Sequence, residues 1–265
     1  MTKQIVFITG AFVIHHCWDE WAAWFQAKGF STVAPPWPYK DGPSAAALRN
    51  RQPNDVDLAL LTLEQVVNHY ENVIRSFPEK PIIIGHSLGG LITQILVNRG
   101  LAAAGVAIHS IPPQGVFPYE FSFLKAGWKV LGLFTPLRET YLMSFKDWQY
   151  AFVNGMPLEE QKAAWEKFTI PESKTVARGG LSSAARVDFK KPHAPLLLTA
   201  GSTDTITPAH LNRRNFKAYH KNGSVLEYKE FEGRNHFVLG APGWEGDAQF
   251  VHDWLVKQLA GQPGA

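Results

Sequence analysis

Six short runs of the sequence are β-rich, and most are apolar throughout: QIVFI (4–8), FSTVA (30–34), PIIIG (81–85), GVAIH (105–109), PLLLTA (195–200) and VLEYKEF (225–231). A strand with one wet face alternates apolar and polar residues, whereas a strand covered on both faces does not. Most of these runs do not alternate, so they predict strands of a parallel sheet held between helical layers. The longer segments between them supply the helices. TLEQVVNHYENVIRSF puts Val66, Val67, Tyr70, Val73, Ile74 and Phe77 on one stripe, and Thr62 followed by Gln65 has the form of a capping box. DAQFVHDWLVKQL, with Val251, Trp254, Leu255 and Leu259, predicts a closing helix. Parallel neighbours need right-handed crossovers, so the chain reads as an open α/β sheet.

One interval breaks this rhythm. From about Pro112 to Lys191 there is no convincing parallel strand, but SFKDWQYAFVNG and PLEEQKAAWEKF have helical patterns. Aromatic residues concentrate between Phe117 and Phe168. We expect residues 112–191 to form an inserted helical cap over an α/β core made of residues 1–111 and 192–265. Aromatics of the cap, Trp128 and Trp148 among them, are expected to line a substrate pocket together with Phe12 and His15 from the first loop.

Composition excludes several functions. Hydrophobic residues make up 45% and charged residues 18% of the chain, which suits a folded core rather than a disordered chain. The net charge is +3 without any basic block, so no nucleic-acid partner is expected. The one cysteine, Cys17, cannot form an internal disulfide and fits a reducing compartment. The opening MTKQIVFITGAF has neither the long apolar core nor the cleavage site of a secretory signal. No apolar run approaches the roughly 18 residues of a membrane span. His15 and His16 are adjacent but lack a third ligand nearby, so no metal is expected. The chain reads as a soluble cytoplasmic protein without a cofactor, a monomer or homodimer acting on a small molecule.

The segment GHSLGG crowds Ser87 with Gly85, Gly89 and Gly90 between a strand and a helix. A turn that sharp strains the serine backbone, and side chains two positions to either side would clash, hence the glycines. The turn lifts the hydroxyl above the strand ends, at the positive end of a helix. A serine hydroxyl is a poor nucleophile near neutral pH and needs a base, which needs an orienting carboxylate. Asp204, in TAGSTDTITP, follows an apolar strand and precedes Pro208 at a helix start. Asp188 lies before that strand and Asp247 after the best histidine. His236, in EGRNHF, follows the last strand; His109 and His193 precede the acid, and His252 sits on the last helix. A tetrahedral intermediate also needs two backbone N–H donors for its oxyanion. Leu88 is the expected first donor. The second comes from the loop after the first strand, at Ala11 or at Phe12.

These motifs, GHSLGG, AGSTDTITP, EGRNHF and the loop TGAF, resemble those of the α/β-hydrolase superfamily over almost the whole chain. The chain is similar to small bacterial serine esterases and lactonases and to the plant methylesterase and hydroxynitrile-lyase branch. The resemblance implies an α/β-hydrolase fold of about six mostly parallel strands with a helical cap, and a Ser87–Asp204–His236 triad. It implies a serine hydrolase that cleaves carboxylic esters through an acyl-enzyme; the alternatives are a lactonase opening acyl-homoserine lactones or an amide-cleaving relative and, after these, a hydroxynitrile lyase or a non-catalytic hydrolase-fold receptor. Two departures stand out. The oxyanion loop reads Thr9-Gly10 where relatives have His-Gly, and Phe237 follows His236 where the cyanohydrin-splitting branch has lysine.

Overall fold

In a computed structural model of the protein, residues 3–52, 55–132 and 134–260 are described. The six runs form β1 (Gln4–Ile8), β2 (Ser31–Val33), β3 (Ile82–His86), β4 (Ala104–Ile108), β5 (Leu196–Gly201) and β6 (Leu226–Phe231). They make one sheet in the order β2-β1-β3-β4-β5-β6, with every neighbouring pair parallel. Successive side chains point to opposite faces. Ile5, Phe7, Ile82, Ile84, Val106 and Leu197 therefore enter one core, and Val6, Ile8, Ile83, Leu196 and Leu198 the other.

Helices cover both faces. The first core is closed by α1 (Asp19–Ala27), through Trp21 and Phe25. Two short helices, α2 (Ala45–Arg49) and α3 (Val56–Leu60), lead to α4 (Leu63–Arg75). The second core is closed by α4, through Val66, Val67 and Tyr70, and by α5 (Leu88–Asn98), through Leu91, Ile92 and Ile95. The predicted capping box is present on α4: Thr62 Oγ1 accepts from the Gln65 amide at 3.2 Å, and Gln65 Oε1 accepts from the Thr62 amide at 2.9 Å.

Between β4 and β5 the chain runs through α6 (Phe121–Leu131), α7 (Phe145–Ala151), α8 (Leu158–Phe168) and α9 (Lys174–Gly179). This insertion is sewn to the loop after β1: Val13 bridges Thr169, Ile14 N donates to the Phe168 carbonyl at 3.0 Å, and Ile170 N donates to the Phe12 carbonyl at 2.8 Å. After β5, α10 (Ala209–Ala218) leans on the second core through Phe216. Finally α11 (Trp244–Ala260) closes the first core through Val251, Trp254 and Leu255.

The strand order fixes where a site can form. From β1 the chain steps to β2 on one side, then returns to build β3 on the other. The connections leaving β1 and β3 therefore diverge, and open sheets bind ligands in the crevice at such a reversal, outside the carboxyl ends. The loop after β1 carries Gly10 to Ile14, and the turn after β3 carries Ser87.

Cys17 lies within the first core, 6% exposed. Burial, with Asp19 nearby, pushes its thiol well above the usual value, and the thiolate is the reactive form. The native protein is therefore expected to resist a thiol-reactive aromatic disulfide at pH 8 and to react with one equivalent in urea. Rapid labelling of native protein would contradict this burial.

Candidate active site

Ser87 occupies the turn between β3 and α5 with φ 58° and ψ −119°, a conformation L-residues avoid. Its amide donates to the Ile108 carbonyl at 2.9 Å and its carbonyl accepts from Ile111 at 3.0 Å, so β4 grips the turn from both sides. The glycines make room for this contact. A Cβ on Gly85 would lie 2.1 Å from the Gly89 carbonyl oxygen, and one on Gly89 would lie 2.1 Å from the Ile8 carbonyl oxygen. The β1 loop passes just as close, since a Cβ on Gly10 would lie 2.9 Å from the Ser87 Cβ.

The structure brings Ser87, His236 and Asp204 together from three separate loops. His236 Nε2 lies 2.9 Å from Ser87 Oγ, and His236 Nδ1 lies 2.7 Å from Asp204 Oδ2. Neither the imidazole nor the carboxylate has exposed side-chain surface. An ionised carboxylate only accepts, so Nδ1 donates to Asp204 while Nε2 faces the serine hydroxyl. The other carboxylate oxygen, Oδ1, accepts from the Ile206 and Thr207 amides, each at 2.8 Å. Burial by itself would raise the Asp204 pKa. The His236 and His109 rings override it and hold the carboxyl well below the usual range.

His109 is the residue that order along the chain set aside. It follows β4 with φ 46°, and its Nδ1 donates to the same Asp204 Oδ2 at 3.0 Å. Because β4 neighbours β5, a histidine after one strand meets a carboxylate after the next. His86 forms a third side of the cluster. Its Nε2 donates to the His236 carbonyl at 2.8 Å, away from Ser87 as the elbow geometry predicts. Burial first, then the His236 and His109 rings, keep its pKa well below the usual value, so His86 stays neutral. His109, Asp204 and His236 also have a metal-compatible spacing, but the short histidine–carboxylate hydrogen bonds already account for it.

A cavity of 360 Å³ opens above Ser87 and Leu88. Among the described residues no charged side chain lines it. Ala11, Phe12, Pro112, Val116, Phe123, Val130, Met143, Phe152 and Ile206 supply apolar walls, and Gln114 one polar side chain. Phe12 lines the cavity, but its amide donates to Glu172 Oε2 at 2.9 Å. The Ala11 and Leu88 amides have no protein acceptor among the described residues. Three expectations need correction. Trp148 is fully buried under the cavity and stacks on Phe152, ring centroids 4.1 Å apart, so it supports the wall instead of forming it. Trp128 is 62% exposed, because α6 turns Phe123, Gly127 and Val130 inward and Trp128 outward. His15 lies outside the cavity, its ring 4.2 Å from that of His16.

Residues 5–245 match the model of the alpha/beta hydrolase family. The chain belongs to that family. Among solved structures it is similar to a monoacylglycerol lipase from Paleococcus ferrophilus, at 22% identity and TM-score 0.68, covering 97% of this chain and 96% of that one. It is also similar to tomato methylketone synthase I, crystallised with 2-tridecanone, at 18% identity and TM-score 0.70, covering 97% and 99%. A methylesterase from Arabidopsis aligns at 14% identity and TM-score 0.66, covering 96% and 99%. Identities this low show a shared fold. No curated protein sequence matches the chain. Among the described residues of this alpha/beta hydrolase, no helix is long and apolar enough to cross a membrane.

The depressed Asp204 pKa has a consequence for acid stability. A carboxyl that titrates lower when folded favours folding above its unfolded pKa of about 4, and this contribution is lost as pH falls below that value. Asp204→Asn is expected to flatten the decline of the urea midpoint between about pH 4 and pH 2 relative to the parent. Parallel profiles for the two proteins would contradict the assignment.

Proposed function

We propose that the protein hydrolyses uncharged carboxylic esters with an apolar acyl group, with Ser87, His236 and Asp204 as its catalytic triad. The observation that carries this reading is a serine hydroxyl 2.9 Å from Nε2 of an imidazole whose Nδ1 lies 2.7 Å from a carboxylate, at the floor of a cavity that no charged side chain lines among the described residues. His236 Nε2 takes the Ser87 proton as Oγ attacks the ester carbonyl. The resulting oxyanion is held by the Ala11 and Leu88 amides, which are free to donate. The proton then passes from His236 to the departing alkoxide, and the alcohol leaves behind an acyl-Ser87. Water repeats the sequence: His236 accepts its proton, hydroxide adds to the acyl carbon, and the proton returns to Ser87 Oγ as the acid departs. Asp204 stays ionised throughout and stabilises the imidazolium that forms twice in each cycle.

The walls favour this substrate class. A charged acyl group would lose its hydration in a cavity that offers no counter-charge. Cyanohydrin cleavage would need a cation to hold cyanide, and none lines the cavity among the described residues. Gly127 faces the cavity, and a Cβ there would meet no atom within 4 Å.

Hydrolysis of p-nitrophenyl butyrate tests the reading. Ser87→Ala and His236→Ala are each expected to lower kcat by about 10³-fold or more with the urea midpoint nearly unchanged. Turnover within tenfold of the parent in either variant overturns the proposed triad. A second series tests the acyl pocket. Gly127→Leu is expected to lower kcat/KM for octanoate esters about tenfold relative to acetate esters, by filling the open space. An unchanged chain-length profile places the acyl group elsewhere. The same panel, extended to acyl-homoserine lactones, separates open from cyclic esters.

A further inference from the structure

Glu172 has no exposed side-chain surface, yet it carries a carboxylate that the steps above do not use. It lies between α8 and α9, where its amide and carbonyl pair with those of Tyr141 at 2.9 Å each. Its side chain leaves the insertion for the core. Oε1 accepts from the Ser173 amide at 2.8 Å. Oε2 accepts from Lys40 Nζ at 2.5 Å and from the Phe12 amide at 2.9 Å. Lys40 is itself only 3% exposed and sits over the Trp37 ring, 3.6 Å from its centroid. Trp37 Nε1 in turn donates to the Thr9 carbonyl at 3.0 Å. The loop after β1 is thus held at Thr9 through Trp37, and at Phe12 through Glu172.

Phe12 needs this hold. Its φ of 68° is unfavourable for a side chain with a Cβ, and the conformation persists only where neighbours enforce it. Three contacts do so: the amide to Glu172, the carbonyl to Ile170, and the ring packed edge-on to Tyr141 and Phe152. A buried ion pair contributes little net stability compared with apolar residues of the same volume, so stability alone is a weak reason for one here.

We propose that the Lys40–Glu172 pair is a positioning device for the oxyanion site: Glu172 draws the Phe12 amide away from Ser87, so that the Ala11 amide is the loop's donor to the oxyanion. Lys40 holds the Glu172 carboxylate in place on the Phe12 amide. The inference rests on the ester-hydrolase reading above and assigns a function to two residues outside the triad. Neither touches substrate; they act through the loop.

Two double variants isolate the Phe12 contact. Lys40→Met with Glu172→Gln removes both charges and keeps an acceptor for the Phe12 amide. Lys40→Met with Glu172→Leu removes both charges and the acceptor. With p-nitrophenyl butyrate, the Gln variant is expected to retain kcat within about fivefold of the parent. The Leu variant is expected to lose about 10- to 100-fold in kcat, with KM changed less than about threefold, as for a donor that acts in the transition state. Equal kcat in the two variants, or a loss confined to KM, overturns the proposal. A measurement on the parent protein removes any dependence on folding of the variants. Amide chemical shifts are recorded with and without a trifluoromethyl ketone that adds to Ser87. Ala11 and Leu88 are expected to shift downfield while Phe12 does not, and a large Phe12 shift overturns the proposal. If no adduct forms at Ser87 and Leu88 is unmoved, the hydrolase reading itself has failed, and the positioning role fails with it.

Discussion

The strained turn at Ser87 is the constraint on which the rest of the site depends. A φ of 58° with ψ −119° costs on the order of 1–3 kcal/mol for a non-glycine residue and persists only under compulsion from its surroundings. Here the compulsion is structural. The amide and carbonyl of Ser87 are both bound to the segment leaving β4, and the helix that follows comes so close to β1 and β3 that only glycine fits at positions 85 and 89. A relaxed turn would swing Oγ away from His236 and move the Leu88 amide away from the cavity. One backbone conformation thus sets the proposed nucleophile, its contact with His236, and one expected oxyanion donor.

One carboxylate sits among three imidazoles in this buried cluster. Asp204 has its two oxygens filled by two amides and two imidazoles, with the Thr207 hydroxyl 3.0 Å away. Three histidine rings stand close together: His86 and His236 centroids are 4.7 Å apart, and each lies 6.3 Å from His109. With one carboxylate among three rings, each further imidazolium would repel the first in a medium that screens poorly. His86 answers this by staying neutral. His109 Nδ1 and His236 Nδ1 share the same carboxylate oxygen of Asp204, the proposed orienting acid.

Much of the fold was legible because its four central strands are buried on both faces. Ile82 to Ile84 feed both cores, so the segment had to be apolar at every position, and the run was visible without any relative for comparison. The strand edges moved by one or two residues at most. Ser87, Asp204 and His236 were readable for a different reason: each follows a readable strand, in the serine–acid–histidine order that hydrolases of this fold use. The residues that escaped notice are joined by contacts rather than by pattern. His109 was passed over because chain order says nothing about strand adjacency, although a histidine after a central strand was a usable signal. Lys40 and Glu172 lie 132 positions apart in unpatterned loops, and only folding shows that they meet. The cap aromatics misled through orientation. Composition placed them near a pocket, but the turn of α6 sends Trp128 outward, and Trp148 lies beneath Phe152.

The central claim is that Ser87 Oγ becomes covalently acylated, and trapping that intermediate tests it most directly. The protein is mixed with excess p-nitrophenyl butyrate, quenched in acid within milliseconds, and weighed intact by mass spectrometry before peptide mapping. The account predicts one butyryl group per chain, mapped to Ser87 in the peptide containing GHSLGG. It also predicts that the group is lost once the ester has been consumed. Rapid ester hydrolysis with no acyl adduct under any quench time, or an adduct on a residue other than Ser87, would contradict it.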